Sequence, residues 1–295
     1  MRSNADYGDW HHWQTFYNAQ RETVLPAGSV AHLPLRLRYI DEGTGSAGTV
    51  VLLHGIPTWS YLFHRTIPAL VAAGYRVVAP DLLGHGFSDR RDCFDRSFQD
   101  QARMVLALLS QLGLSRVHLV GHDTGGAIGL ILAIEQAHCI DRLVITNSVC
   151  YDRFDDDMLD FGHPMRWKPR PVSDLTEALE GSLAEGLSNP DELTEEFRAG
   201  ILAPWSTEEG KLSHIRNAAA LNANQTMALV DRHGTIEAPT LIIWGLDDPW
   251  QSAVDGRQLA SEIPGARFQG VEGASHWLPQ DAPETFSKAL TGFLV

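Results

Sequence analysis

The chain has 295 residues, 44% of them hydrophobic, and a formal net charge of -14. That length and composition fit one large α/β domain or a core with an insertion, and the acidic balance argues against nucleic acid or an anionic membrane as a partner. Three cysteines, Cys93, Cys139 and Cys150, lack metal-like spacing and read as reduced thiols of a cytoplasmic protein.

The first 30 residues carry no basic-then-apolar leader pattern. No uncharged apolar run anywhere approaches the roughly 18 residues needed to cross a bilayer. Trp10-His11-His12-Trp13 reads as a docked aromatic segment rather than a metal site, because adjacent histidines point in different directions. Residues 33–40 alternate loosely and end in the turn signal Asp41-Glu42-Gly43-Thr44-Gly45. Residues 50–53 and 75–79 are short apolar runs of the kind expected for strands buried on both faces. Residues 97–112 place Ala102, Val105, Leu106, Leu109 and Leu112 on one stripe, which predicts a helix capped by Ser97. A strand at 117–120, a Gly-rich turn, a helix over 127–134 and a strand at 142–146 follow. Strands alternating with helices predict a parallel, doubly wound sheet.

The pattern changes after Ser148. Residues 151–231 contain no buried-strand run and are rich in Asp, Glu, Pro and helix formers, with helices expected over 174–187, 191–201 and 207–229. The division expected is a first core part, 1–148, a helical cap, 149–231, and a second core part, 232–295. The α/β pattern resumes with a strand at 240–245, a helix near 252–263, a strand at 267–271 and a closing helix at 283–294.

Gly121-His122-Asp123-Thr124-Gly125-Gly126 lies between a predicted strand and a predicted helix. This is the context of a nucleophile elbow, a tight turn that lifts its central side chain above the sheet. An aspartate there changes the chemistry. A carboxylate attacking an acyl group makes a labile anhydride, whereas one attacking an sp3 carbon makes an alkyl ester that water can hydrolyse. Two further candidates follow later strands: Asp247-Asp248-Pro249, and His276 in Gly273-Ala274-Ser275-His276-Trp277. Nucleophile, acid, histidine is the chain order of the α/β-hydrolase triad. Asp123 would attack carbon, His276 would activate the hydrolytic water, and Asp248 or Asp247 would orient the imidazole. The backbone N–H groups of Ile56 and Thr124 are the expected oxyanion-hole donors.

His54-Gly55-Ile56-Pro57-Thr58-Trp59-Ser60-Tyr61-Leu62 and Ala79-Pro80-Asp81-Leu82-Leu83-Gly84-His85-Gly86-Phe87-Ser88-Asp89, together with Gly121-His122-Asp123, resemble segments of the α/β-hydrolase superfamily. Within it they resemble the Asp-nucleophile branch of haloalkane dehalogenases and epoxide hydrolases. The resemblance implies an α/β-hydrolase fold with a helical cap, no cofactor and no metal. It favours Asp248 as the acid, because Pro249 follows it. It also exposes departures. Thr124 stands where dehalogenases usually carry a Trp that holds the departing halide, and Ile56 stands where a second donor, Asn, is often found. Epoxide hydrolases use two cap tyrosines, and here only Tyr151, at the cap's entry, is available, with His163 or Thr124 as substitutes. The resemblance implies a haloalkane dehalogenase-like hydrolase first, an epoxide hydrolase-like enzyme second, and a non-catalytic ligand-binding scaffold third. The partner expected is a small apolar electrophile with water. Its pocket is expected to be lined by Trp59, Tyr151, Trp167, Trp205 and Trp277, with Trp250 a further candidate.

Overall fold

The computed structural model describes residues 4–295. Eight strands form one sheet: β1 (Arg21–Leu25), β2 (Leu35–Glu42), β3 (Thr49–Leu53), β4 (Arg76–Pro80), β5 (Val117–His122), β6 (Ile140–Thr146), β7 (Thr240–Gly245) and β8 (Arg267–Val271). Their spatial order is β1-β2-β4-β3-β5-β6-β7-β8. β2 runs antiparallel to both neighbours, and every pairing from β4 to β8 is parallel. The fold is the α/β-hydrolase fold, a mostly parallel sheet with helices on both sides. The apolar run in β5 is buried at every position. Burying each such Val or Leu side chain stabilises the fold by about 1.5–3 kcal/mol.

β1 has no counterpart in the periodicity reading. Of its five residues only Leu25 is buried, as suits an edge strand whose outer side faces solvent. A crossover helix, Thr66–Ala72, is also additional; its seven residues, with Pro68 inside, are too few to give a periodic signal.

Between β6 and β7 there is no strand among the described residues, only helices: Asp156–Phe161, Pro164–Trp167, Val172–Glu185, Glu195–Leu202, Glu208–Ala219 and Asn224–Met227. The expected helix over 207–229 breaks at Ala220, and the one over 191–201 begins at Glu195. Thr194 caps the latter, accepting from Phe197 N–H at 3.1 Å, because the single 3-10 turn Pro190–Glu192 before it ends at Leu193, whose ψ of 58° leaves the helical region. Ser97 caps the Phe98–Gln111 helix through the Asp100 N–H.

Two indoles fasten this helical insert to the core. Trp59 Nε1 donates to Gly200 O at 2.8 Å, and Trp205 Nε1 donates to Pro57 O at 2.6 Å; both rings are fully buried. The N-terminal segment packs on the same region, with Trp10 edge-on to Phe16 and Phe16 edge-on to Trp59. Among the described residues no helix is long and apolar enough to cross a membrane.

Candidate active site

β5 ends at the elbow, and Asp123 takes φ 52 and ψ -122, a left-handed conformation that L side chains rarely adopt. The strain is tolerated because the turn is fixed on all sides. A Cβ on Gly121 would meet Gly125 O at 2.4 Å, and one on Gly125 would meet Leu53 O at 2.3 Å. The glycines therefore let the Thr124–Glu135 helix close onto β3, and that closeness aims Asp123 upward.

The Asp123 carboxylate is buried. Its Oδ1 accepts from Ile56 N–H at 2.8 Å, and the Thr124 N–H also bonds the carboxylate. Burial pushes its pKa above the usual carboxylate range. The His276 charge and these two N–H groups work against that rise, and Asp248 adds to it. The oxyanion-hole pair expected from the sequence, Ile56 and Thr124, thus converges on the elbow side chain itself.

His276 Nδ1 lies 2.8 Å from Asp248 Oδ2. Burial alone would lower the imidazole's pKa, but the charge and hydrogen bond of Asp248, joined by the charge of Asp123, leave it above the ordinary 6.5. Asp248 is itself buried, which would raise its pKa. The His276 charge and hydrogen bond, with the Gln251 N–H and the Asn147 amide, hold it below the usual range instead. Asp247, the rival acid, is exposed and accepts from Ser188 Oγ at 3.1 Å, so the geometry sets Asp248 against the imidazole.

Sequence reasoning missed Asn147. It sits at the end of β6 with φ 42; its Nδ2 donates to Asp248 Oδ2 at 2.7 Å and its Oδ1 accepts from Gly245 N–H at 3.0 Å. Its place at a strand's carboxyl end was the available signal. Two histidines brace the site in neutral form. His54, lowered to about 4 by burial, donates from Nδ1 to Gly55 O and accepts Leu82 N–H at Nε2. His122, lowered to about 3 by burial, donates from Nε2 to His276 O at 2.9 Å. Asp81 accepts from Ser60 N–H, Ser60 Oγ and Phe87 N–H, which ties the Ala79–Asp89 segment to the segment carrying Ile56.

Asp123, Thr124, Ile56 and His276 open onto one pocket with about 440 Å³ of empty space. The segment between β6 and β7 supplies Val149, Phe154, Met158 and Leu221, and the loops after β7 and β8 supply Trp250 and Trp277. Trp277 packs edge-on to His276 at 4.4 Å, and Trp250 does so at 4.9 Å. Four residues expected to line the pocket lie elsewhere. The indoles of Trp59 and Trp205 are spent on backbone carbonyls, as above. Trp167 Nε1 donates to Asp160 O at 3.1 Å, and the Tyr151 hydroxyl donates to Glu262 Oε2 at 2.8 Å. His163 is exposed before the Pro164–Trp167 helix. Of the run Asp155-Asp156-Asp157, Asp155 caps the Asp156–Phe161 helix, accepting from Met158 N–H at 2.9 Å, and reaches the pocket wall.

An eight-stranded, mostly parallel sheet with an elbow, an acid and a histidine at its carboxyl edge defines an α/β hydrolase. Residues 48–283 match the alpha/beta hydrolase fold family, and the chain belongs to that family of hydrolases. It is 33% identical over 273 residues to a haloalkane dehalogenase of Mycolicibacterium paratuberculosis, covering 88% of this chain and 87% of the relative. It is 28% identical over 277 residues to a 2-hydroxy-6-oxononadienedioate/2-hydroxy-6-oxononatrienedioate hydrolase of Dechloromonas aromatica, covering 89% and 91%. Among solved structures, an alpha/beta hydrolase fold protein from Burkholderia ambifaria superposes with a TM-score of 0.81 at 27% identity, over 87% of this chain and 93% of that one.

Proposed function

We propose that this chain is a haloalkane dehalogenase-like hydrolase that works without a cofactor, with Asp123 as a covalent nucleophile. The observation that carries the reading is Asp123 Oδ1 seated against Ile56 N–H at 2.8 Å, beside the His276–Asp248 pair. With Oδ1 held there, Oδ2 is the oxygen that faces substrate. It bonds to the sp3 carbon as the carbon–halogen bond breaks, and the electron pair leaves with the halide.

The second half follows from the same seat. His276, with its Nδ1 proton on Asp248, takes a proton at Nε2 from a water that attacks Asp123 Cγ. Negative charge then develops on Oδ1, where the Ile56 N–H already points, with the Thr124 N–H against the same carboxylate. Collapse passes that proton from His276 to the departing alcohol oxygen, and Asp123, now holding one oxygen from water, returns to its carboxylate as the hydroxyl proton is lost to solvent.

An apolar pocket walled by Trp250, Trp277, Phe154, Met158 and Leu221 suits a small apolar electrophile. The helical insert acts as a cap over it. The dehalogenase likeness supports this reading. Among the described residues no tyrosine lines the pocket to protonate an epoxide oxygen, which disfavours the epoxide reading. The test is halide and alcohol release from a panel of chloro-, bromo- and iodoalkanes by the folded protein. Release that vanishes in Asp123→Asn supports the reading, and silence across the panel overturns it.

A further inference from the structure

We propose that Asp155 is a specificity determinant of the pocket, and that the electrophile it selects carries a cationic, ammonium-type group at the end remote from the reacting carbon. The inference rests on the dehalogenase-like reading above and names a substrate class for that site.

The charges on the pocket wall carry it. The cavity above Asp123 is lined by two carboxylates, Asp123 and Asp155, by the imidazole of His276, and, among the described residues, by no Lys or Arg. Asp123 is occupied by the reacting carbon, and His276 is paired with Asp248. Asp155 has no such duty. It is half-buried, its Oδ2 accepts the Met158 N–H at 2.9 Å, and no Lys, Arg or His among the described residues makes an ion pair with it. Its neighbours Asp156 and Asp157 are exposed and stay off the pocket wall. A carboxylate partly withdrawn from water without a counter-ion is unfavourable, and a cation arriving in the pocket supplies the missing partner.

Asp155 is also placed where its charge matters. Its hydrogen bond to Met158 starts the Asp156–Phe161 helix, so the carboxylate is held at the wall, and Phe154 and Met158 line the same cavity. Burial disfavours the protonated form of His276, and the charges of Asp248, Asp123 and Asp155 favour it. A charge that acts on His276 acts also on a substrate in the cavity that both residues line. Phe154, Trp250 and Trp277 add aromatic rings, whose faces attract cations. The apolar side chains take the alkyl part of the substrate. An anionic electrophile meets the opposite situation: it loses its hydration, faces Asp123 and Asp155, and finds no basic side chain. The formal net charge of -14 acts in the same direction, drawing cations and turning anions away before they reach the pocket.

The experiment compares kcat/KM for bromide release from three bromoalkanes of one chain length. One ends in trimethylammonium, one in tert-butyl, its neutral isostere, and one in sulfonate. Each is given to the parent protein, to Asp155→Asn and to Asp157→Asn. Asparagine caps a helix as well as aspartate does, so Asp155→Asn removes the charge and keeps an acceptor for the Met158 N–H. The parent should prefer trimethylammonium to tert-butyl and tert-butyl to sulfonate. In Asp155→Asn the cationic substrate should lose roughly 10- to 100-fold, the anionic one should gain roughly 10-fold, and the neutral one should change least. Asp157→Asn removes an equal charge from an exposed position and should shift each rate by less than about two-fold. A parent that handles the tert-butyl compound better than the trimethylammonium one, or an Asp155→Asn protein of unchanged circular dichroism that keeps the parent's ratios, overturns the inference while leaving the dehalogenase reading intact. Equal shifts in the two Asn variants assign the effect to the chain's net charge and overturn the role of Asp155. Bromide release from none of the three by the folded parent overturns both.

Discussion

Gly55 lies so close to Asp123 that a Cβ on it would come within 2.0 Å of Oδ1 and 2.4 Å of the Asp123 Cβ. The first loop of the parallel sheet and the elbow therefore share one small volume, and the glycine is what lets Ile56 N–H reach the carboxylate. Gly55→Ala should leave the fold intact and displace either the carboxylate or the donor. A misplacement near 1 Å costs on the order of 100-fold in rate. Steady-state kinetics beside a circular-dichroism spectrum check this; a variant within a few-fold of the parent would contradict it.

Asn147 holds both Asp248 and the Gly245 N–H. Asn147→Ala should free Asp248 to rotate and leave a buried N–H without its partner, at a cost of about 1–3 kcal/mol in stability. Ester hydrolysis should slow roughly 10-fold or more, while ester formation, which does not use His276, should change little. Denaturant unfolding and separate measurement of the two half-reactions distinguish these effects.

The pH dependence follows from the charges around His276. Burial opposes its protonation, but Asp248 and Asp123 prevail and its pKa sits above 6.5 in the free enzyme. A group raised in this way adds folding stability that is fully present below the ordinary 6.5 and is lost as the pH rises through the folded value. Forming the ester removes the charge of Asp123, so the same imidazole should titrate lower in the intermediate and be neutral, and hence a base, when its water must be activated. An NMR titration of His276 in the free protein, set beside the pH profile of ester decay, should give the lower value for the decay. Equal values would contradict it.

The sheet, and the meeting of Asp123, Asp248, His276 and the Ile56 and Thr124 N–H groups at its carboxyl edge, were legible because each rests on local, short-range chemistry: apolar strand runs, a glycine-flanked turn, and titratable residues just after strands. Trp277 was legible for the same reason, since it adjoins His276 in the chain. The uses of Trp59 and Trp205 were not, because an indole reads alike whether it lines a pocket or donates to a distant carbonyl such as Gly200 O or Pro57 O. Tyr151 was hidden in the same way by Glu262, 111 residues along the chain. Asn147 is a polar residue whose role exists only once β6, β7 and the loops after them are adjacent in space.

The Trp205 tie offers a check on how the insert is held. Trp205→Phe keeps most of the buried ring and removes the hydrogen bond to Pro57 O, which leaves a buried carbonyl unpaired. Stability should drop by about 1–3 kcal/mol, and faster proteolysis should begin within residues 149–231. Cleavage starting in the sheet core would contradict it.

The central claim is that Asp123 becomes covalently alkylated. The direct measurement is the intact mass of the His276→Gln protein after incubation with a haloalkane, followed by peptide mapping. The account predicts a gain equal to the alkyl group, without halogen, on the peptide containing Asp123, and no gain when Asp123→Asn is added. A protein of unchanged mass after incubation with substrates that the parent turns over would contradict it.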